Sequence, residues 1–208
     1  AICHHNNTSI LKKVLGYLNS KCCEIALGIL NPTINIQIGD IGNLPIVSVP
    51  STVDRIVDTN IELSKSDWDS FETSWDFAKH PLVCPYTTVA EAYNKWKSEC
   101  NNRFDQLKSN EEELNQIFIN IYGLQGELKP EVDDKDVTVH KADLQRDIRS
   151  FISYAVGCMF GRYSLDVEGL AYAGGEWDDN KYSTFIPDKN NIIPITDEEY
   201  FEDDIVGL

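Results

Sequence analysis

The sequence predicts a mainly α chain with a small β element, and three observations predict it. Apolar residues recur at three- and four-residue spacing through most of the first 160 residues. Strict apolar–polar alternation appears in one short stretch, residues 33–38. From Ser164 onward periodicity gives way to an acidic sequence punctuated by Gly174-Gly175, Pro187 and Pro194. Long amphipathic helices packed as a bundle or spacer are expected, followed by a loop-rich acidic C-terminal part. The natural divisions are residues 1–50, 51–163 and 164–208.

Taken in order, Leu11, Val14, Leu15, Leu18, Cys22, Ile25 and Ile29 form one stripe of a helix over 8–30, capped by Thr8 or Ser9. Asn31-Pro32 ends it, because a residue before proline is pushed out of the α region. Ile34, Ile36 and Ile38 alternate with Asn35 and Gln37, which predicts a strand over 33–38 with one buried face. Gly39-Asp40 reads as a turn and Leu44 to Val47 as a short extended run. A second helix starts near Ser51, with Asp54 as a capping-box partner, and carries Val53, Val57, Ile61, Trp68, Phe71 and Trp75. The third starts at Thr88 with Glu91 and runs through Val89, Tyr93, Trp96, Cys100, Phe104, Leu107, Leu114, Phe118 and Ile121 to Gly123. At 1.5 Å per residue that is a rod of roughly 50 Å, unless 108–111 breaks it into two antiparallel pieces. A fourth helix over 141–162 presents Leu144, Ile148, Phe151, Ile152, Ala155, Val156, Met159 and Phe160, with Gly157 and Gly161 admitting a close neighbour. Its apolar run is about half the length a membrane span needs.

Composition narrows the function classes. At 208 residues, with 42% hydrophobic and 25% charged side chains, the chain can bury a core and hold one or two domains. The single methionine, Met159, and the opening on Ala1 predict an excised segment of a longer protein. Six cysteines without a C-x-x-C pair predict reduced, buried thiols in a cytoplasmic setting, with adjacent Cys22 and Cys23 pointing into a core. The formal net charge is −16. Residues 1–50 set three lysines against Glu24 and Asp40, whereas 51–163 and 164–208 are each acidic on balance. Such a chain is repelled by a phosphate backbone except where a local patch reverses the field.

Few residues suggest chemistry. Cys3, His4 and His5 are adjacent, so they cannot all face one ion, and no metal site is assigned. Asp67, Asp69, Glu72 and Asp76 flank Trp68 and Trp75, as glycoside chemistry uses, but an acidic solvent face explains them more simply. Glu176-Trp177-Asp178 fits a loop with a tucked indole. Lys12, Lys13 and Lys21 are the candidate DNA-binding residues, as phosphate contacts that position a duplex without reading it, with a solvated helix face as the alternative. Arg146, Arg149 and Arg162 are diluted by Asp143, Asp147 and Asp166. No glycine-rich phosphate loop, nucleophile elbow or H-E-x-x-H motif is present, so no catalytic or cofactor-binding residue is assigned.

Longer phrases carry a resemblance. LGYLNSK followed by LNPTINIQIGDIGNLPI, over residues 15–46, resembles the closing element of target-recognition domains in DNA methyltransferases. ELNQIFINIYGLQGEL (113–128), DSFETSWDFAKHPL (69–82), DIRSFISYAVGCMFGRYSLDVEGLAYAGGEWD (147–178) and IIPITDEEYFEDDIV (192–206) are similar to the large PglX-type adenine-specific methyltransferases of BREX phage-exclusion systems. The resemblance implies a bacterial cytoplasmic parent enzyme that transfers a methyl group from S-adenosylmethionine to adenine N6 in double-stranded DNA. It also implies other phage-defence proteins as partners, and no membrane. The family's Asn-Pro-Pro-aromatic motif is not matched here, because Pro32 is followed by Thr33 and Ile34. Residues 1–50 then correspond to the end of a target-recognition-like domain, 51–163 to a helical spacer, and 164–208 to an acidic segment leading onward. The alternative is a protein-interaction scaffold, an acidic helical module without DNA contact.

Overall fold

The computed structural model describes residues 8–33 and 35–187. Their elements are α1 (Thr8–Leu18), α2 (Lys21–Leu30), α3 (Ile38–Gly42), α4 (Thr52–Trp68), α5 (Val89–Tyr122), α6 (Leu144–Met159) and a 3₁₀ turn at Asp179–Lys181. The mainly helical expectation holds. The small β element does not, since no strand occurs among the described residues.

Two compact units interleave along the chain. The first comprises Ala1–Trp68 and Asn94–Ala142, the second Asp69–Tyr93 and Asp143–Leu208.

In the first unit, the single helix expected over 8–30 is two. Ser20 adopts an extended backbone (φ −93°, ψ 153°) and its Oγ accepts from the Cys23 N–H at 3.3 Å while donating to the Tyr17 carbonyl at 2.7 Å. A serine that can serve both helix ends makes a break as favourable as continuation. The break turns the buried face: Tyr17, Cys22 and Cys23 enter the core, whereas Leu11, Leu15, Leu18, Ile25 and Ile29 of the expected stripe are exposed. Gly16 brings α1 against α4, where an added Cβ would lie 3.0 Å from Val57 Cγ2. Tyr17, Cys22, Cys23, Val53, Val57, Leu114 and Phe118 form the main core.

Asn31 ends α2 as expected, with its N–H bonded to the Leu27 carbonyl. The stretch after it fails as a strand because local bonds claim it. Asn31 Nδ2 donates to the Asn35 carbonyl and to Asp40, and the Gln37 N–H donates to Asp40 Oδ2 at 2.8 Å. That last bond starts α3 where a turn was expected. Ile36 and Ile38 are exposed, so no buried face exists to reward the alternation, and Ile34 lies outside the described residues. Residues 44–47 are irregular.

The long helix is legible almost throughout. Thr88 Oγ1 accepts from the Glu91 N–H while Glu91 returns a bond to the Thr88 N–H. α5 continues unbroken through 108–111, burying Trp96, Cys100, Phe104, Leu107, Leu114 and Phe118. It stops at Gly123, whose φ of +71° suits glycine.

In the second unit, Tyr154 and Tyr163 stack at 5.0 Å, and Phe77 meets both edge-on. α4 ends at Trp68, so Phe71 and Trp75 fall outside it, and Trp75 is fully exposed. α6 buries Asp147, Tyr154 and Cys158 and leaves much of its expected apolar face outward, including Leu144, Ile152 and Val156. The close neighbours of Gly157 and Gly161 are rings rather than backbones: Tyr163 covers the first and Trp177 the second.

The Ser20 device is testable by urea denaturation. Ser20→Ala is expected to cost about 1–2 kcal/mol, whereas Ser20→Thr, which keeps the hydroxyl, retains most of the stability. An unchanged midpoint in Ser20→Ala would show that the break has another cause.

Candidate functional site

The three candidate lysines all belong to the first unit, on α1 and at the start of α2. Lys12 Nζ pairs with Asp58 of α4 at 2.7 Å. Lys21 Nζ donates to the Glu131 carbonyl, while its backbone N–H donates to Asn115 Oδ1 at 2.9 Å. Lys13 is half-buried and makes no hydrogen bond or ion pair among the described residues. The three are thus near in sequence, but two hold α1 and α2 to the helices and loop beneath them.

Asp67 was expected on an acidic solvent face and is instead 4% exposed. Its Oδ1 accepts from Arg103 Nη1 at 3.1 Å, and its Oδ2 from the backbone N–H of His140 at 3.3 Å. His140 Nδ1 lies 2.7 Å from the same oxygen. Arg103 is also buried, with its guanidinium carbon 5.2 Å from the Trp96 ring centre. The signal was available in the spacing. Asp67 continues the inward line of Ile56, Asn60 and Leu63 on α4, and Arg103 falls between Cys100 and Leu107 on α5.

A second polar crossing joins the same helices, where Asn110 Nδ2 donates to Asn60 Oδ1 and Gln106 Nε2 donates to Asn110 Oδ1, each at 2.7 Å. Outside it, Asp134 accepts from both Lys108 and Lys141 at 2.7 Å, which pulls its carboxyl down to about 2. These groups cross-link helices and loops.

The remaining acidic candidates lie in the second unit. Asp69 accepts from Ser74 Oγ at 2.6 Å, and Ser74 Oγ in turn accepts from the Asp76 N–H. Glu72 receives a long contact of 3.4 Å from Tyr163 Oη. Trp177 stacks on Tyr182 at 4.6 Å and donates from Nε1 to Asp179, but it is 43% exposed, so the indole is packed on one face only and not tucked away as expected. Asp178 caps the 3₁₀ turn. Arg146 pairs with Asp147 at 2.8 Å and lies over Phe71, Arg162 lies over Tyr163, and Arg149 is exposed. Asp166 gathers Ser183 N–H, Thr184 N–H and the Thr184 hydroxyl, bonds that hold its carboxyl well below the usual range. Cys3, His4 and His5 lie outside the described residues.

His80 is the buried titratable group that composition did not reveal. It is 4% exposed, packs 5.4 Å from Phe151 and 6.1 Å from Tyr154, and accepts the Leu82 N–H at Nδ1. Burial pushes its pKa down to about 4, partly opposed by the nearby Asp147 carboxylate. The folded ring is therefore neutral at pH 7. The five described cysteines, Cys22, Cys23, Cys84, Cys100 and Cys158, are all free thiols. Burial raises Cys22, Cys23 and Cys158 above the ordinary thiol range.

With this geometry in view, comparison with known proteins decides the family resemblance. Over 206 residues, 96% of this chain, the sequence is 48% identical to adenine-specific methyltransferase PglX of Lacticaseibacillus casei (strain Zhang). The sequence is PglX-like. It is also 32% identical, over 99% of the chain, to adenine-specific methyltransferase BrxX of Escherichia coli O9:H4 (strain HS). The chain spans only 17% and 19% of the lengths of these relatives. No family model matches it. Among the described residues of this PglX-like chain, no helix is long and apolar enough to cross a membrane.

The His80 reading carries a pH signature. Its folded pKa lies below the 6.5 of a free ring, so its contribution is complete above 6.5 and is lost as pH falls toward 4. Between those values the unfolded chain binds a proton that the folded chain refuses. Urea midpoints should therefore fall across this window, and His80→Asn should flatten the fall, by on the order of 3 kcal/mol between the two limits. An unaltered slope in that variant would refute the buried neutral ring.

Proposed function

We propose that this chain is a non-catalytic supporting segment of an S-adenosylmethionine-dependent adenine N6 DNA methyltransferase in a bacterial, cytoplasmic phage-defence system. Residues 1–50 close a target-recognition-like domain, residues 51–163 hold it on helices, and the acidic residues 164–208 lead on to the rest of the parent. The observation that carries this reading is 48% identity across nearly the whole chain to a protein of which it spans only 17%. The methyl donor and the catalytic chemistry belong to other parts of such a parent. The roles found for the chain's own buried groups agree: Asp67 pins helices, Asp147 pairs with Arg146, and His80 accepts a backbone bond.

Contact with double-stranded DNA falls to Lys12, Lys13 and Lys21, the positively balanced part of an otherwise acidic chain. The acidic surface and exposed apolar side chains such as Leu11, Ile29 and Trp75 suit docking to other lobes or to partner proteins of the defence system. A specific observation favours a second reading, the interaction scaffold without DNA contact. Lys12 already faces Asp58, and Lys21 already holds the Glu131 carbonyl, so both charges are partly engaged within the fold.

A gel-shift titration of the chain on duplex DNA at low salt separates the two. The DNA-supporting reading predicts a shift that disappears when Lys12, Lys13 and Lys21 are all changed to Glu, with the helical circular dichroism retained. A shift that survives the triple change removes the lysine face from the account. No shift with either protein favours the scaffold.

A further inference from the structure

A cavity of about 310 Å³ opens within the first unit between α1, α4 and α5. Leu15 from α1, Val57 and Ile61 from α4, and Leu107 and Leu114 from α5 give it aliphatic walls, and Asn19, Asn60, Ser64 and Thr138 add polar groups to the lining. One carboxylate, Glu111 of α5, is set among them. Its surroundings differ from those of three other acids of this unit. Asp58 faces Lys12, Asp67 faces Arg103, and Asp134 faces two lysines. Glu111 meets no cation among the described residues, and burial raises its carboxyl above the ordinary range.

A carboxylate in an apolar recess attracts a positively charged donor with an apolar body. The volume falls at the lower end of small-ligand pockets, roughly 300–1,000 Å³. Between the two natural cationic side chains, the guanidinium is the better match. It is more weakly hydrated than an ammonium, so aliphatic walls oppose its entry less, and its fork can engage both carboxylate oxygens. A nucleic-acid occupant is disfavoured, because the cavity places a carboxylate and no aromatic ring against it, and the chain as a whole carries −16.

We infer that this cavity receives an arginine side chain from a basic partner protein, its guanidinium paired with Glu111 and its stem lying against Leu15, Ile61 and Leu107. The inference rests on the docking part of the function proposed above, and gives that docking a position and a chemistry. It is independent of DNA contact through the lysines.

The test is a carbon-13 NMR titration of the full 208-residue chain with N-butylguanidinium chloride. n-Butylammonium chloride and sodium chloride serve as matched probes. The expected result is a saturable shift of the Glu111 side-chain carboxyl carbon and of the Leu15, Ile61 and Leu107 methyl groups. Its midpoint should be on the order of millimolar, several-fold tighter than for n-butylammonium. Glu111→Gln, which keeps the side-chain shape, should weaken binding roughly tenfold. Ile61→Ala, at a half-exposed wall position, should weaken it less. Absence of a saturable shift overturns the proposal, as do an unchanged midpoint in both variants and equal binding of the ammonium. Failure here leaves the gel-shift outcome untouched, and failure of the gel shift leaves this titration untouched, so the two readings fall separately.

Discussion

The first unit depends on one buried carboxylate. Asp67 stands at the last turn of α4, where helix carbonyls already make the surroundings negative, and it is almost wholly removed from water. Such a group is tolerated only when every lone pair is met, and Asp67 is met by Arg103 on α5 and by the backbone and ring of His140. One side chain thereby fixes α4, α5 and the returning segment at 139–140. Seven residues earlier on α4, Asn60 meets Asn110, seven residues later on α5, so the two helices run antiparallel. Between these polar layers, Leu63 packs with Phe104, Leu107, Val137 and Val139. The charged pair contributes little net stability in itself, but loss of one partner strands the other in a dry environment.

Local chemistry decided which parts of the fold were legible in the sequence. α5 was readable because its stripe, its Thr88–Glu91 cap and its glycine stop agree, and agreement across levels leaves few competing structures. The end of α2 at Asn31 was readable for the same reason. The break at Ser20 was not, because serine is tolerated inside a helix and excels at starting one, and only packing of Tyr17, Cys22 and Cys23 chooses between them. The expected strand shows the converse. Alternation signals a strand only when a ladder and a buried face reward it, and Asn31 and Asp40 instead bond to the backbone of Thr33, Asn35 and Gln37, the last at the start of a short helix. On α6, the apolar positions outnumber those the fold buries, so hydrophobicity pointed to the wider face while Tyr154 and Asp147 took the inner one.

The candidate site followed the same rule. Lys12, Lys13 and Lys21 were visible as a local charge balance, but their bonds to Asp58 and to the Glu131 carbonyl depend on chain segments 46 and 110 residues away. The buried acid was invisible to a solvent-face argument, since charged helix residues are normally outside. The PglX resemblance came from phrases distributed along the chain, and identity distributed along the chain is what the comparison found. Electrostatics and homology fit together in this picture. An acidic helical body is repelled by phosphate over most of its surface, and the proposed function therefore assigns DNA contact to Lys12, Lys13 and Lys21 alone.

The claim that Asp67 is a structural pin can be measured directly by urea unfolding of Asp67→Leu, Arg103→Met and the double variant Asp67→Leu/Arg103→Met. Each single change should destabilise the first unit by about 3–5 kcal/mol, and the double variant should recover most of that loss, because no charge is left stranded. Single variants as stable as the parent chain, or losses that simply add in the double variant, would contradict the account.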